Sequence, residues 1–349
     1  MTQMNKIRGK RFVESCLFIG MCLLVLALTT VKLYADSSES AYSVSANIPS
    51  FQHNKNLSYF DLLLKPNQKE QISIHLQNNS QEKASYLVKV NNAATNSNGV
   101  IDYSQTNLKK DASAKYVLNQ LVTPPSQEIK LQAGEAKDVS FQVAMPKQAF
   151  SGIILGGIHI SKKDTISKKV EGTAIRNKYA YVIGVQLEND TAKVEPELKL
   201  LSANPGLENS YTTIFAKVQN PTPTIINKVS FDAVITKKGS DKVLYQTKKE
   251  NMSIAPNTNF RFPISLNKEK MAAGIYTMTI DAKEGKNNKK WHLTADFRIQ
   301  ATKARKINQQ AILEKKEKEI PYLPIMIVVG ILLLLIILFL SYKLFKQNK

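Results

Sequence analysis

Cysteine is almost missing from this chain. Of 349 residues only Cys16 and Cys22 are cysteines, and both fall within the first 35. Past that point no thiolate nucleophile, disulfide framework or cysteine metal cluster can be built. Histidine is scarce too: His53, His75, His159 and His292 are widely separated and lack metal-ligand spacing, so structural or surface roles are expected and no metal or cofactor is. The serines do not fall into a Gly-x-Ser-x-Gly elbow, nor into Ser-x-x-Lys with its supporting motifs. Acidic residues are in deficit, 28 against 48 basic. Removing five basic and one acidic residue from 1–35, and the three lysines of the extreme C-terminus, leaves 40 basic against 27 acidic, a body of charge +13. Such a surface favours anionic neighbours such as wall polymers. With no basic stripe interleaved with aromatics, a nucleic-acid partner is not expected.

Long apolar runs are rare as well, and there are only two. Lys6, Arg8, Lys10 and Arg11 precede the first, from Phe12 to Val31, and Leu33-Tyr34-Ala35 offers a cleavage site before Asp36. Residues 1–35 read as a secretory signal peptide, with an uncleaved anchor as the alternative. The second run, 322–342, carries no charge in 21 residues and would reach roughly 31 Å as a helix. It is expected to be a single transmembrane helix, with 343–349 as a basic cytoplasmic tail and the bulk of the chain outside the cell membrane. A thiol-free, Lys- and Asn-rich composition suits a Gram-positive surface. Neither cysteine sits in a lipobox, and Leu323-Pro324-Ile325-Met326-Ile327 lacks the Thr-Gly of a sortase signal.

Between these runs the pattern is all-β. Polar residues alternate with Ile72, Ile74 and Leu76, with Tyr86, Val88 and Val90, and with Val139, Phe141 and Val143, as in strands with one wet face. Gly152 to Ile160 is nearly continuously apolar and reads as a central strand whose glycines mark a close backbone approach. A polar, lysine-rich interval at 161–172 suggests a boundary. A second series follows at Tyr179 to Leu187, Val229 to Ile235, Phe260 to Ile264 and Trp291 to Phe297. Two β-sandwiches are expected, 36–162 and 163–302, each long enough to bury a core. Residues 303–321, with no Gly or Pro before Pro321, read as a short charged helix or stalk.

Ser58-Tyr59-Phe60-Asp61-Leu62, Lys65-Pro66-Asn67-Gln68 and the segment from Ala94 to Tyr103 resemble, in that order, the N-terminal domain of the WxL-interacting proteins of Gram-positive bacteria. Leu131-Gln132-Ala133-Gly134-Glu135, Met145-Pro146 and Phe150 to Ile158 continue the likeness. Tyr179-Ala180-Tyr181, Ala255 to Phe260, Ala273-Gly274-Ile275-Tyr276 and Trp291 to Ile299 resemble that family's C-terminal domain. The resemblance implies two immunoglobulin-like sandwiches, the first binding peptidoglycan and the second a host extracellular-matrix protein or other surface component, alongside WxL proteins of the wall.

From the residues themselves, Thr95, Asn96, Asn98, Asp102 and Tyr103 form a loop dense in donors and acceptors plus an aromatic, a mixture suited to glycan hydroxyls and amides. Tyr59 and Asp61 are further ligand candidates. An ordinary Asn-Gly turn whose side chains satisfy their own backbone is the competing reading. A wall-modifying hydrolase using Asp61 and Asp102 as a carboxylate pair is the alternative to a binding scaffold.

Overall fold

The computed structural model describes residues 41–163, 179–285, 288–313 and 322–347. The expected signal peptide lies outside them, as does most of the polar interval at 161–172. The chain folds into two β-sandwich bodies. The first is built from β1 (Tyr42–Asn47), β2 (Phe60–Leu63), β3 (Lys69–Asn78), β4 (Ala84–Asn92), β5 (Ala94–Thr95), β6 (Ile101–Asp102), β7 (Val122–Thr123), β8 (Ser126–Leu131), β9 (Ala136–Ala144), β10 (Ile154–Lys162) and β11 (Ala180–Glu188). The second holds β12 (Lys199–Glu208), β13 (Tyr211–Asn220), β14 (Ile226–Lys237), β15 (Val243–Ile254), β16 (Thr258–Ser265), β17 (Gly274–Glu284) and β18 (Lys290–Ile299).

In the first body a sheet of order β1-β3-β9-β7 faces one of order β2-β11-β10-β4-β8. The alternation seen in the sequence sends Ile72, Ile74, Val139 and Phe141 inward from one sheet to meet Tyr86, Val88, Ile158 and Val185 from the other. The expected central strand is central: β10 lies between β4 and β11. In the second body the sheet β12-β13-β16 packs on β15-β14-β17-β18, and Phe231 meets Phe262 edge-on at 5.2 Å within the core.

One device recurs in both bodies. Asn78 closes β3 with its amide donating to the carbonyls of Glu82 and Gln132, while its oxygen accepts from Ser80 and from the Tyr86 hydroxyl. Asn220 closes β13 the same way, donating to Thr224 and Ala255 and accepting from Thr222. Both side chains are fully buried. A buried amide is tolerated only when its donors and acceptor are all engaged, as they are here.

Three expectations are corrected. First, Tyr179 to Leu187 does not open the second sandwich. Its strand β11 pairs antiparallel with β10 and parallel with β2, and it sinks Val185 and Leu187 into the first core, so the first body extends to Glu188. Second, of the short charged helix or stalk expected over 303–321, the described part is a helix that starts earlier, at Ala301, and is docked rather than free-standing, while 314–321 lie outside the described residues. Helix α1 (Ala301–Gln310) buries Ala304 and Ile307 in the second core, and Asn308 exchanges hydrogen bonds with the backbone of Met271 at 2.9 Å in each direction.

Third, the single-pass anchor over 322–342 and the cell-membrane localisation built on it are overturned. Among the described residues no helix is long and apolar enough to cross a membrane. The helix at this end of the chain is α2 (Tyr322–Gln347), 26 residues in length.

The docking of α1 is testable. Ile307→Ala is expected to destabilise the second body by about 2–5 kcal/mol, because it deletes buried methyl groups from a packed site. Chemical denaturation followed at Trp291 measures it, and an unchanged midpoint would mean that α1 is not part of that core.

Candidate functional site

The structure divides the sequence-selected residues between two places. Tyr59, Asp61, Asp102 and Tyr103 come together on the outer face of the five-stranded sheet, whereas Thr95, Asn96 and Asn98 turn toward the second body.

The outer face owes its shape to two glycines. Gly157 of β10 and Gly184 of β11 stand directly opposite one another in register. A Cβ at Gly157 would come within 3.1 Å of the Tyr103 ring and one at Gly184 within 3.6 Å of Tyr59, so the two tyrosines lie against bare backbone. Glycine inside a strand commonly marks such an approach. Tyr103 is fixed from below, where Asn91 of β4 donates to its carbonyl at 2.8 Å. Tyr59 is held by Gln52, whose amide donates to the Tyr59 carbonyl at 2.7 Å while its oxygen accepts from the Asp61 amide. Burial pushes the Tyr103 phenol up, with Tyr59 adding to the shift, and Tyr59 rises through burial and then the charges of Asp61 and Glu188. Both rings are therefore neutral over the physiological range.

Carboxylates flank the pair. On β2 and β11, the Gln186 amide donates to Asp61 at 3.2 Å and to Glu188 at 2.5 Å. Burial, only partly offset by the Gln186 hydrogen bond and reinforced by Asp61, holds Glu188 above the usual carboxylate range. Asp102 accepts from the Ser104 amide at 2.8 Å and from Gln105 at 3.0 Å. Burial raises it, but those bonds and the nearby His159 outweigh burial and bring it down. His159 is itself lowered by burial and by Lys89 opposite it on β4, against the pull of Asp102. The face thus offers two aromatic surfaces, acceptors on both flanks and an imidazole. Among the described residues no group of His, Cys, Asp or Glu is arranged to hold a metal.

The remaining candidates serve a joint. The ribbon of β5 and β6 is closed by Asn96, whose oxygen accepts from the amides of Asn98 and Val100, and by Gly99 at φ +68°. The competing Asn-Gly reading thus describes the local turn well. Its outer surface lies on the second body. Thr95 accepts from the Ala255 amide at 2.9 Å, Ser253 donates to the Gly99 carbonyl at 2.7 Å, and Lys249 reaches Asn98 at 3.0 Å. Any Cβ at Gly99 would strike Met252 at 2.4 Å.

Beside the ribbon, Asp111 accepts from Ser113 of its own loop and from Gln219 and Asn259 of the second body at 2.7 and 2.5 Å. Burial raises its carboxyl, but these bonds prevail and hold it below the 3.8 ordinary for aspartate.

Sequence reasoning missed Gln186, Glu188 and Asn91, and gave His159 a structural or surface role without linking it to Asp102. The signal available was the placement of glycines, the pair Gly156-Gly157 and the lone Gly184, inside otherwise bulky strands.

Residues 42–162 match the WxL Interacting Protein peptidoglycan binding domain, and residues 170–309 match the WxL Interacting Protein host binding domain. No curated protein matches the chain. Among solved structures, the Escherichia coli chaperone DraB is 14% identical, with 74% of this chain and 98% of that one covered at a TM-score of 0.26. The chaperone YadV is 13% identical, with 74% and 100% covered at 0.26. A Porphyromonas gingivalis protein of unknown function is 12% identical, with 74% and 100% covered at 0.23.

The joint yields a prediction. A carboxyl held below its ordinary value stabilises the structure above that value and loses the contribution as pH falls through the lowered one. Backbone amides of residues 108–117 should therefore keep their hydrogen-exchange protection from pH 7 down to about 5, after correction for intrinsic rates, and lose it only below about pH 4. Asp111→Ala should remove that protection already at pH 7; equal protection in the variant would mean that the carboxylate does not hold the loop. With its two domain matches in sequence order, together covering most of its length, the chain belongs to the WxL-interacting protein family.

Proposed function

We propose that this protein is a non-enzymatic scaffold of the bacterial surface, and that it holds peptidoglycan on the tyrosine face of the first sandwich while the second engages a protein. The observation that carries the reading is the pair of neutral tyrosine rings laid against Gly157 and Gly184, with acceptors on either side. A π face is negative and an alkyl C–H slightly positive, so sugar rings stack on it, and flanking carboxylates accept from hydroxyl, amide or ammonium groups. The matched peptidoglycan binding domain ends with β10 and so includes both Tyr59 and Tyr103.

For the second body the matched host binding domain supports a host extracellular-matrix protein, and the family name supports a WxL-type surface protein, as partner. Two facing sheets closed by the same buried asparagine support an immunoglobulin-like reading of both bodies. Export is part of the proposal, on the support of the basic start and the apolar run after it.

A hydrolase would require Asp61 and Asp102 to act as a pair across a scissile bond. Asp61 is engaged with Gln186 beside Glu188, and Asp102 with Ser104 and Gln105 beside His159, so each carboxylate of the face is already held as an acceptor by its own neighbours. Release of soluble muropeptides by the wild-type chain, abolished in Asp61→Asn, would nonetheless overturn the scaffold reading.

The binding test uses the full chain and isolated sacculi at physiological salt, where non-specific attraction to the basic surface is screened. Tyr59→Ala with Tyr103→Ala should cut cosedimentation by about tenfold or more, the loss of roughly 1.4 kcal/mol or greater. Gly157→Ala, which displaces the Tyr103 ring without removing it, should reduce it as well. Undiminished sedimentation of the double variant would remove the tyrosine face from the reading.

A further inference from the structure

A cleft of about 520 Å³ opens where the two bodies meet, within the size range of small-molecule sites. One wall comes from the loop that carries Asp111, with Lys109, Lys110 and Tyr116; the other comes from β13 and β16, with Lys217 and Asn259. Alanines 93, 94 and 114 line the cleft with Ile154 and Leu155, giving it an apolar floor.

Its polar groups are unbalanced. Three lysines face one carboxylate, and that carboxylate is already occupied by Ser113, Gln219 and Asn259. Among the described residues, no ion pair involves Lys109, Lys110 or Lys217, and Lys110 reaches only the Lys115 carbonyl at 3.3 Å. Asn92 uses its oxygen to accept from the Asn119 amide, which leaves its amide N–H groups as donors, and Gln219 and Asn259 each keep an N–H beyond the one given to Asp111. The lining is thus rich in donors and positive charge.

We propose that this cleft is a second ligand site, separate from the tyrosine face, and that it takes an oxyanion, a carboxylate or a phosphate, carried on an acceptor-rich backbone. The oxyanion bridges Lys109 and Lys110 of one body to Lys217 of the other. Since both walls are needed, binding tightens the joint and stabilises the chain by mass action. Two wall components carry this chemistry: the stem carboxylates of peptidoglycan, and the phosphodiesters of a polyol-phosphate polymer.

The experiment titrates the full chain, in a Tyr59→Ala and Tyr103→Ala background that disables the other face, with a purified monomeric muropeptide and separately with short poly(glycerol phosphate), by calorimetry at low salt. Saturable binding of either probe, weakened about tenfold by Lys217→Gln and again by Lys109→Gln, is the expected result. The probe that binds identifies the source of the oxyanion. Absence of saturable binding for both probes, or an affinity indifferent to both lysine substitutions, would overturn the proposal, and neither result bears on sedimentation through the tyrosines.

Discussion

The pairing of β11 with β10 is the contact on which the rest of the molecule depends. It inserts a strand between β10 and β2, buries Val185 and Leu187, and so completes the first core. The same register brings Gly157 opposite Gly184, and that coincidence makes the shallow floor for Tyr59 and Tyr103. Strand periodicity does the remainder: with Val185 and Leu187 inward, Gln186 and Glu188 must point outward, next to Asp61. A shift of one residue would exchange the two sets and lose both core and site.

From Glu188 the chain leads directly into the second body, so the strand that finishes one sandwich also positions the next. Side chains then lock what the backbone has placed. Asp111 ties three residues from two bodies, and Thr95 and Gly99 continue the seam along the ribbon. Most of these groups are polar and largely removed from water, where each lost partner leaves an unsatisfied atom, so the seam is specific to this pairing of surfaces rather than merely adhesive. The cleft lies in the same seam, and its geometry is only as well defined as the seam itself.

Much of this could be read from the residues. Strict alternation at Ile72, Val139 and Phe231 identified strands and their inner faces, because a period of two has no helical counterpart. The two-body plan and the family resemblance were legible for the same reason. The assignment of β11 was not, since an alternating strand says which face is dry but not which sheet it joins. Nor did the loop from Thr95 to Asn98 reveal its role. Acceptors suited to a sugar are also suited to another protein surface, and only the fold shows that Ala255 and Lys249 donate to Thr95 and Asn98. Ile307 shows the same limit from the apolar side: one isoleucine on a thin stripe is enough when a core lies within reach.

Gly99 and Met252 carry a lesson about inheritance. The methionine fills the space that any larger residue at position 99 would need, and Asp111 with Asn259 forms a similar matched pair on the other flank. Exchanging one sandwich for another that lacks the matching partner would create a collision at Gly99 or an orphaned carboxylate at Asp111. The two halves are therefore constrained to change in step, and recombination between members of the family should preserve them as a single cassette.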